Sequence, residues 1–186
     1  MRKTWFPTLK GNIHKISIAG LLMVWCLFAN DLPFSNKANA SEVTMGFFAV
    51  DHGNAHLAPI DACTLSNHET ASGFILGIGP STGIGDEIVR FVSCSPTSSP
   101  GTAIEVTGTF KMLAADGDEI DGEYTTTGTL DPVNGASFQG GFTFTSGTGR
   151  FIHARGSGVV AGHGAPNPPF DFVASWTGIL SYGDDD

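Results

Sequence analysis

Beyond residue 40 the chain is organised by alternation of apolar and polar positions rather than by helical periodicity. From Thr102 to Leu113, Ile104, Val106, Phe110 and Met112 share one side, and Glu105, Thr107, Thr109 and Lys111 share the other. That period of two belongs to a strand with one buried face. Ala115-Asp116-Gly117-Asp118 follows as a turn, because Asp and Gly tolerate the positive φ that a tight turn needs. The Thr-rich run from Ile120 to Leu130 is a second strand, and Asp131-Pro132-Val133-Asn134-Gly135 turns the chain again. Phe138, Phe142 and Phe144 then share a face opposite Gln139, Thr143 and Thr145. Ser146-Gly147-Thr148-Gly149 is a further turn, followed by strands from Arg150 to Val160 and from Phe170 to Tyr182. Earlier strands are predicted from Val43 to Val50, Gly73 to Ile78 and Glu87 to Cys94.

This pattern predicts eight strands joined by turns short enough for antiparallel neighbours, hence an all-β fold. A sheet of that size closes into a barrel or splits into a sandwich, since open edges invite pairing with other chains. A single eight-stranded antiparallel β-barrel over 41–186 is the preferred architecture, with a β-sandwich or jelly roll as the alternative. Two segments stand outside the meander and read as long loops at a barrel rim. They are the polar Asp51 to Thr70 and the strand-breaking Gly162 to Pro169.

The first forty residues change the compartment. Arg2, Lys3, Lys10 and Lys15 flank an apolar run of 14 residues, Ile16 to Ala29, and a polar stretch ends at Ala38-Asn39-Ala40. These are the parts of a secretory signal peptide, with cleavage expected after Ala40. As a helix the run spans roughly 21 Å, short of the ~30 Å that a membrane anchor must cross. The reading is therefore a protein secreted or periplasmic, with residues 1–40 removed and no stable membrane anchor.

Export also changes the charge. Of 9 basic residues only Arg90, Lys111, Arg150 and Arg155 lie beyond Ala40, against 17 of the 18 acids, so the mature chain carries a net charge of −13. No basic stripe offsets this, which argues against nucleic-acid partners and anionic lipid surfaces. Two cysteines, Cys63 and Cys94, remain in an oxidising compartment, where a disulfide between them is expected. It would close a loop of about 30 residues and stabilise the domain by roughly 3–4 kcal/mol.

The segment Gly147-Thr148-Gly149-Arg150-Phe151-Ile152-His153-Ala154-Arg155-Gly156 resembles the Gly-Thr-Gly-x-Phe-x-x-Ala-x-Gly signature of the allene oxide cyclase and dirigent superfamily. The Thr/Gly/Phe-rich strands before it are similar to small exported bacterial members of that group. The resemblance covers about Thr102 to Tyr182 and implies an eight-stranded barrel around a hydrophobic small molecule. It implies either a cofactor-free isomerase or cyclase or a protein that steers the coupling of a reactive intermediate. Gly158 and Val159 stand where plant members carry bulkier residues, and no full catalytic set of the family aligns onto this chain. The competing reading is a non-catalytic surface or matrix protein with a filled core.

Candidate chemistry follows from the strand after the signature. If Phe151, His153, Arg155, Ser157 and Val159 face inward, His153 and Arg155 set a base and a cation in the cavity. If the small face of Ala154, Gly156 and Gly158 is inward, the two are surface residues that pair with acids. Phe142, Phe144, Phe151, Phe172 and Trp176 are the candidate ligand lining; packed solid, they would instead fill the barrel.

His52, His56 and His68, with Asp51 and Asp61, lie in the long loop, and His163 in the other, without the third-ligand spacing a metal needs. Asp116, Asp118, Asp121 and Glu123 read as an acidic hairpin, because Ile120 occupies a position where a calcium loop needs oxygen. Neither a metal nor a cofactor is expected, and homo-oligomerisation is left open.

Overall fold

The computed structural model describes residues 42–93 and 101–183. The expected signal peptide and its cleavage site, Cys94 and the terminal Asp184-Asp185-Asp186 lie outside the described residues. The strands are β1 (Val43–Asp61), β2 (Thr64–Ile75), β3 (Gly79–Phe91), β4 (Thr102–Ala114), β5 (Glu119–Asp131), β6 (Gly135–Gly147), β7 (Arg155–Gly164) and β8 (Phe170–Tyr182). Each pairs antiparallel with the next, and β1 pairs with β8 from Val43↔Tyr182 to Ala55↔Phe170. That seam closes the sheet into a barrel, so the sandwich alternative is set aside.

Alternation fixes which side chains point inward. Ile104, Val106, Phe110 and Met112 on β4 are buried, while Glu105, Thr107 and Thr109 are exposed. Strand number and barrel agree with the sequence, but three boundaries do not. The segment Asp51 to Thr70 is not a loop: β1 continues to Asp61, and β2 starts at Thr64 after a short turn. β3 begins at Gly79, well before Glu87. β7 begins only at Arg155, because Gly149–Phe151 forms a 3₁₀ turn, and it runs through His163 into the segment expected to be a loop.

The two ends of the barrel differ. At one end Phe151, 0% exposed, folds inward from the 3₁₀ turn and packs edge-on against Tyr182 with ring centroids 5.1 Å apart. Ile75, Ile120 and Leu180 are buried around it, so this end is plugged. The turn that delivers Phe151 depends on glycine. Gly149 has φ 56, and a β-carbon there would lie 1.8 Å from Asp118 Oδ1. Asp118 in turn accepts the Arg150 backbone N–H at 3.2 Å, and the Arg150 guanidinium reaches Asp116 at 3.1 Å and Asp118 at 3.6 Å. The acidic hairpin is thus tied to the signature turn.

Above the plug the barrel is filled by aromatic rings. Phe47, Phe110, Phe142, Phe144 and Trp176 stack edge-on or tilted, with centroids 4.9–6.2 Å apart. Such pairs prefer these tilted geometries because ring edges carry positive and faces negative charge. Room for Phe142 comes from Gly158 on the neighbouring strand, where a β-carbon would meet its Cζ at 2.6 Å. The opposite end, bounded by the β1–β2, β5–β6 and β7–β8 turns, is the mouth.

Candidate functional site

Below the mouth lies a cavity of about 90 Å³, walled by Leu57, Leu65, Val89, Ile104, Val106, Leu130, Phe138, Phe170 and Phe172. Its polar members are few: Asn67, Glu69, Glu87, Tyr124 and Thr126. Tyr124 and Thr126 come from β5, whereas the other three are carried inward by β2 and β3. There Asn67 stands opposite Glu87, and Glu69 opposite Gly85. A smaller cavity of about 30 Å³ continues below, where Asp51, Glu69, Tyr124, Phe172 and Trp176 meet.

One side-chain amide holds the acids together. Asn67 Nδ2 donates to Glu69 Oε1 at 3.1 Å and to Glu87 Oε2 at 2.9 Å. Burial first, then the Glu87 charge and carboxyl, push the Glu69 pKa well above the usual carboxylate range, against the Asn67 hydrogen bond that lowers it. Burial raises Glu87 as well, with Asn67 and Glu69 opposing. Two half-buried carboxyls this close retain a proton between them, because ionising both would set like charges together where water solvates them poorly. Burial also lifts Asp51 from 3.8 to about 6, partly offset by the Trp176 N–H and by His52. The Trp176 indole lies near Asp51 without a formed bond, since among the described residues no acceptor meets its Nε1 at hydrogen-bond geometry.

Chemically, this is an apolar pocket with a carboxylic acid at its floor that stays protonated near neutrality. Such a group can donate a hydrogen bond or a proton to a bound oxygen or nitrogen.

The residues expected from sequence are scattered relative to this site. Phe172 lines the larger cavity and Trp176 the smaller. Phe142 and Phe144 are 3% exposed within the aromatic filling, and Phe151 plugs the far end. Of the two orientations left open for His153 and Arg155, the structure has the one with both side chains outside. β7 turns its small face inward, since a β-carbon on Gly158 would strike both Phe142 and the Thr177 carbonyl, 2.2 Å away. Arg155 lies on the outer face and pairs with Glu42 at 2.7 Å. His153 occupies the turn at φ 58, exposed.

The other described histidines, His52, His56, His68 and His163, also face outward. His68 Nδ1 meets Asp86 at 2.8 Å, and His52 Nε2 meets Ser72 Oγ at 3.2 Å. His52 and His163 border a broad open groove of about 810 Å³ on the outer wall, too open to exclude water. No group of three or more His, Cys, Asp or Glu is placed to hold a metal among the described residues. Cys63 sits at the β1–β2 turn and its carbonyl accepts the Phe91 N–H at 2.9 Å, three residues before Cys94.

Asn67, Glu69 and Glu87 were not among the sequence candidates, and Asp51 was weighed there only beside the loop histidines. Their signal was available in period-two spacing: Leu65, Asn67, Glu69 and Ala71 alternate with exposed or partly exposed neighbours, as do Glu87, Val89 and Phe91.

No protein-family model matches the chain, and no curated protein matches it. Among solved structures, the pterocarpan synthase dirigent protein GePTS1 matches with a TM-score of 0.50 at 10% identity, covering 78% of this chain and 94% of that one. This chain has a dirigent-like barrel fold. At that identity the likeness speaks to the fold alone, and the chemistry of the dirigent-like barrel has to be argued from its own residues.

Proposed function

We propose that this is an exported dirigent-like barrel that admits a small, largely apolar molecule through its mouth, with Glu69 as the acid that acts on it. The observation that carries this reading is the apolar cavity floored by a half-buried carboxyl pair bridged by the buried Asn67 amide. Burying polar and ionisable groups without compensation is costly, and barrels that only need a core fill it with hydrocarbon. Cofactor-free isomerisation or cyclisation suits such a site, because proton donation from a raised-pKa acid is the chemistry its residues supply. The dirigent neighbour is named a pterocarpan synthase, and this supports small-molecule work as a use of the fold.

Size limits the ligand. Sites that enclose a whole drug-sized molecule measure about 300–1,000 Å³. The 90 Å³ here takes the leading ring or short chain of a ligand, and the rest lies in the mouth against Phe138 and Phe170. The same volume, with the aromatic filling below it, favours a second reading: a non-catalytic secreted barrel with a largely filled core.

Native mass spectrometry of the purified protein, with identification of any copurifying compound, separates the two. A retained small molecule that Val106→Trp expels supports the first reading. No retained molecule, and no stabilisation by a panel of small aromatics, supports the second. Export follows the N-terminal pattern, and N-terminal sequencing of secreted material should begin at Ser41.

A further inference from the structure

Two concavities meet at the mouth, and they differ in chemistry. The inner one is the apolar cavity of about 90 Å³, and the outer one is the open groove of about 810 Å³. Gly164, Ala165 and Phe172 border both. The barrel wall is low at this point, because β1 parts from β8 beyond Ala55↔Phe170 while running on to Asp61. No side chain stands at Gly164, although a β-carbon there would have ordinary room, its nearest neighbours lying 3.6–3.8 Å away. A molecule seated in the cavity can therefore continue over this sill into the groove.

The groove is polar and nearly free of fixed charge. His52, Asn54, Thr70, Ser72, Asn134 and His163 line it, and Asp171 is its one carboxylate. Among the described residues no Lys or Arg borders it. An anionic ligand would be repelled by a mature chain of 17 acids and 4 bases, and a cation would find Asp171 alone. Serine, threonine and neutral imidazole can each donate or accept a hydrogen bond, and so can an alcohol hydroxyl. His52, Val173 and His163 form one exposed cross-strand row, so an apolar side chain separates the two imidazoles.

We propose that the groove holds the sugar of a glycoside whose small apolar head occupies the cavity. The proposal rests on the reading that the mouth admits a small molecule, and it names that molecule's class. The sugar hydroxyls would bond to His52, His163 and Ser72, and the C–H face of the ring would lie on Val173. Hydrogen bonds this exposed are individually weak, so the groove acts by joining several of them to the apolar contact in one molecule.

Calorimetric titration of the full chain with phenyl β-D-glucoside, phenol and methyl β-D-glucoside tests this. Phenyl β-D-glucoside should bind at least about tenfold more tightly than either fragment. In the double variant His52→Ala/His163→Ala, whose replaced side chains are exposed, its advantage over phenol should fall to within about threefold. Gly164→Leu raises a side chain on the sill and should weaken phenyl β-D-glucoside at least about tenfold. Phenol binding as tightly as phenyl β-D-glucoside would overturn the sugar site and leave the apolar cavity standing. Methyl β-D-glucoside binding as tightly would detach the groove from the cavity and overturn the proposal. Failure of all three to bind would remove both readings. An advantage that survives in the histidine variant, or an unchanged affinity in Gly164→Leu, would place the sugar elsewhere and overturn the proposal.

Discussion

Glu69 and Glu87 carry a stability signature that can be read without any ligand. Both have folded-state pKa values raised above the unfolded value, chiefly by burial. A carboxyl raised in this way binds its proton more tightly in the folded state than in the unfolded chain. Its contribution is therefore full below the unfolded value of about 4.5 and is lost as pH rises through the folded one. Asp51, lifted to about 6, behaves likewise between its unfolded 3.8 and that value. At about 1.4 kcal/mol per pKa unit, Asp51 alone loses roughly 3 kcal/mol across that window. Urea denaturation at pH 4.5 and pH 8 should show the protein weakening at the higher pH, and Glu69→Gln should flatten the difference. An identical slope in the variant would mean that Glu69 titrates normally. Arg155 offers the opposite expectation. Its partner lies on the outer face, so Arg155→Ala should leave ligand binding unchanged and cost under about 1 kcal/mol, as exposed ion pairs do.

Among the elements, the signature turn is where the largest single effect belongs. Truncating Phe151, fully buried at the plugged end, should destabilise the barrel by about 3–5 kcal/mol, as removal of a core phenylalanine does. Arg150→Ala, which breaks exposed bridges to Asp116 and Asp118, should cost far less, and paired melting curves check the ranking. The strands show how far the sequence could be read. β4 was legible because its inward positions are Ile104, Val106, Phe110 and Met112, and hydrophobic alternation reports burial directly. The mouth half of β1 and β2 was not, because the inward positions there include Asp51, Gly53, Asn67 and Glu69. Polar and small residues inside a barrel erase the contrast on which alternation depends. The candidate site was hidden by that same substitution of acids for hydrocarbon. The start of β7 was misplaced for a different reason: Phe151 is buried by a turn that tucks in, not by a strand face.

For the molecule as a whole, the charge and the disulfide belong together. With 17 acids against 4 bases beyond Ala40, self-repulsion opposes compactness, and a covalent link from the β1–β2 turn to the chain that follows β3 would oppose it in return. We expect Cys63 and Cys94 to be joined. Oxidised mature protein should then show no titratable thiol under denaturant, and reduction should lower stability by roughly 3–4 kcal/mol.

The β1–β8 seam also sets a clock. Seven of the eight pairings join strands adjacent in the chain, but the eighth joins Val43 to Tyr182, nearly the length of the domain apart. Each hairpin can form locally, while the seam must wait for its two ends to find each other, at an entropic cost that grows with the intervening length. Refolding should therefore be limited by closure, on the millisecond-to-second scale of topologies rich in distant contacts. A head-to-tail cyclised mature chain, which links β8 directly to β1 and leaves every other turn closed, should refold measurably faster, in stopped-flow fluorescence of Trp176. The cavity floor is built by β1, β2 and β3, and its wall is completed by β8, so a binding-competent interior comes into being only when the ring is shut.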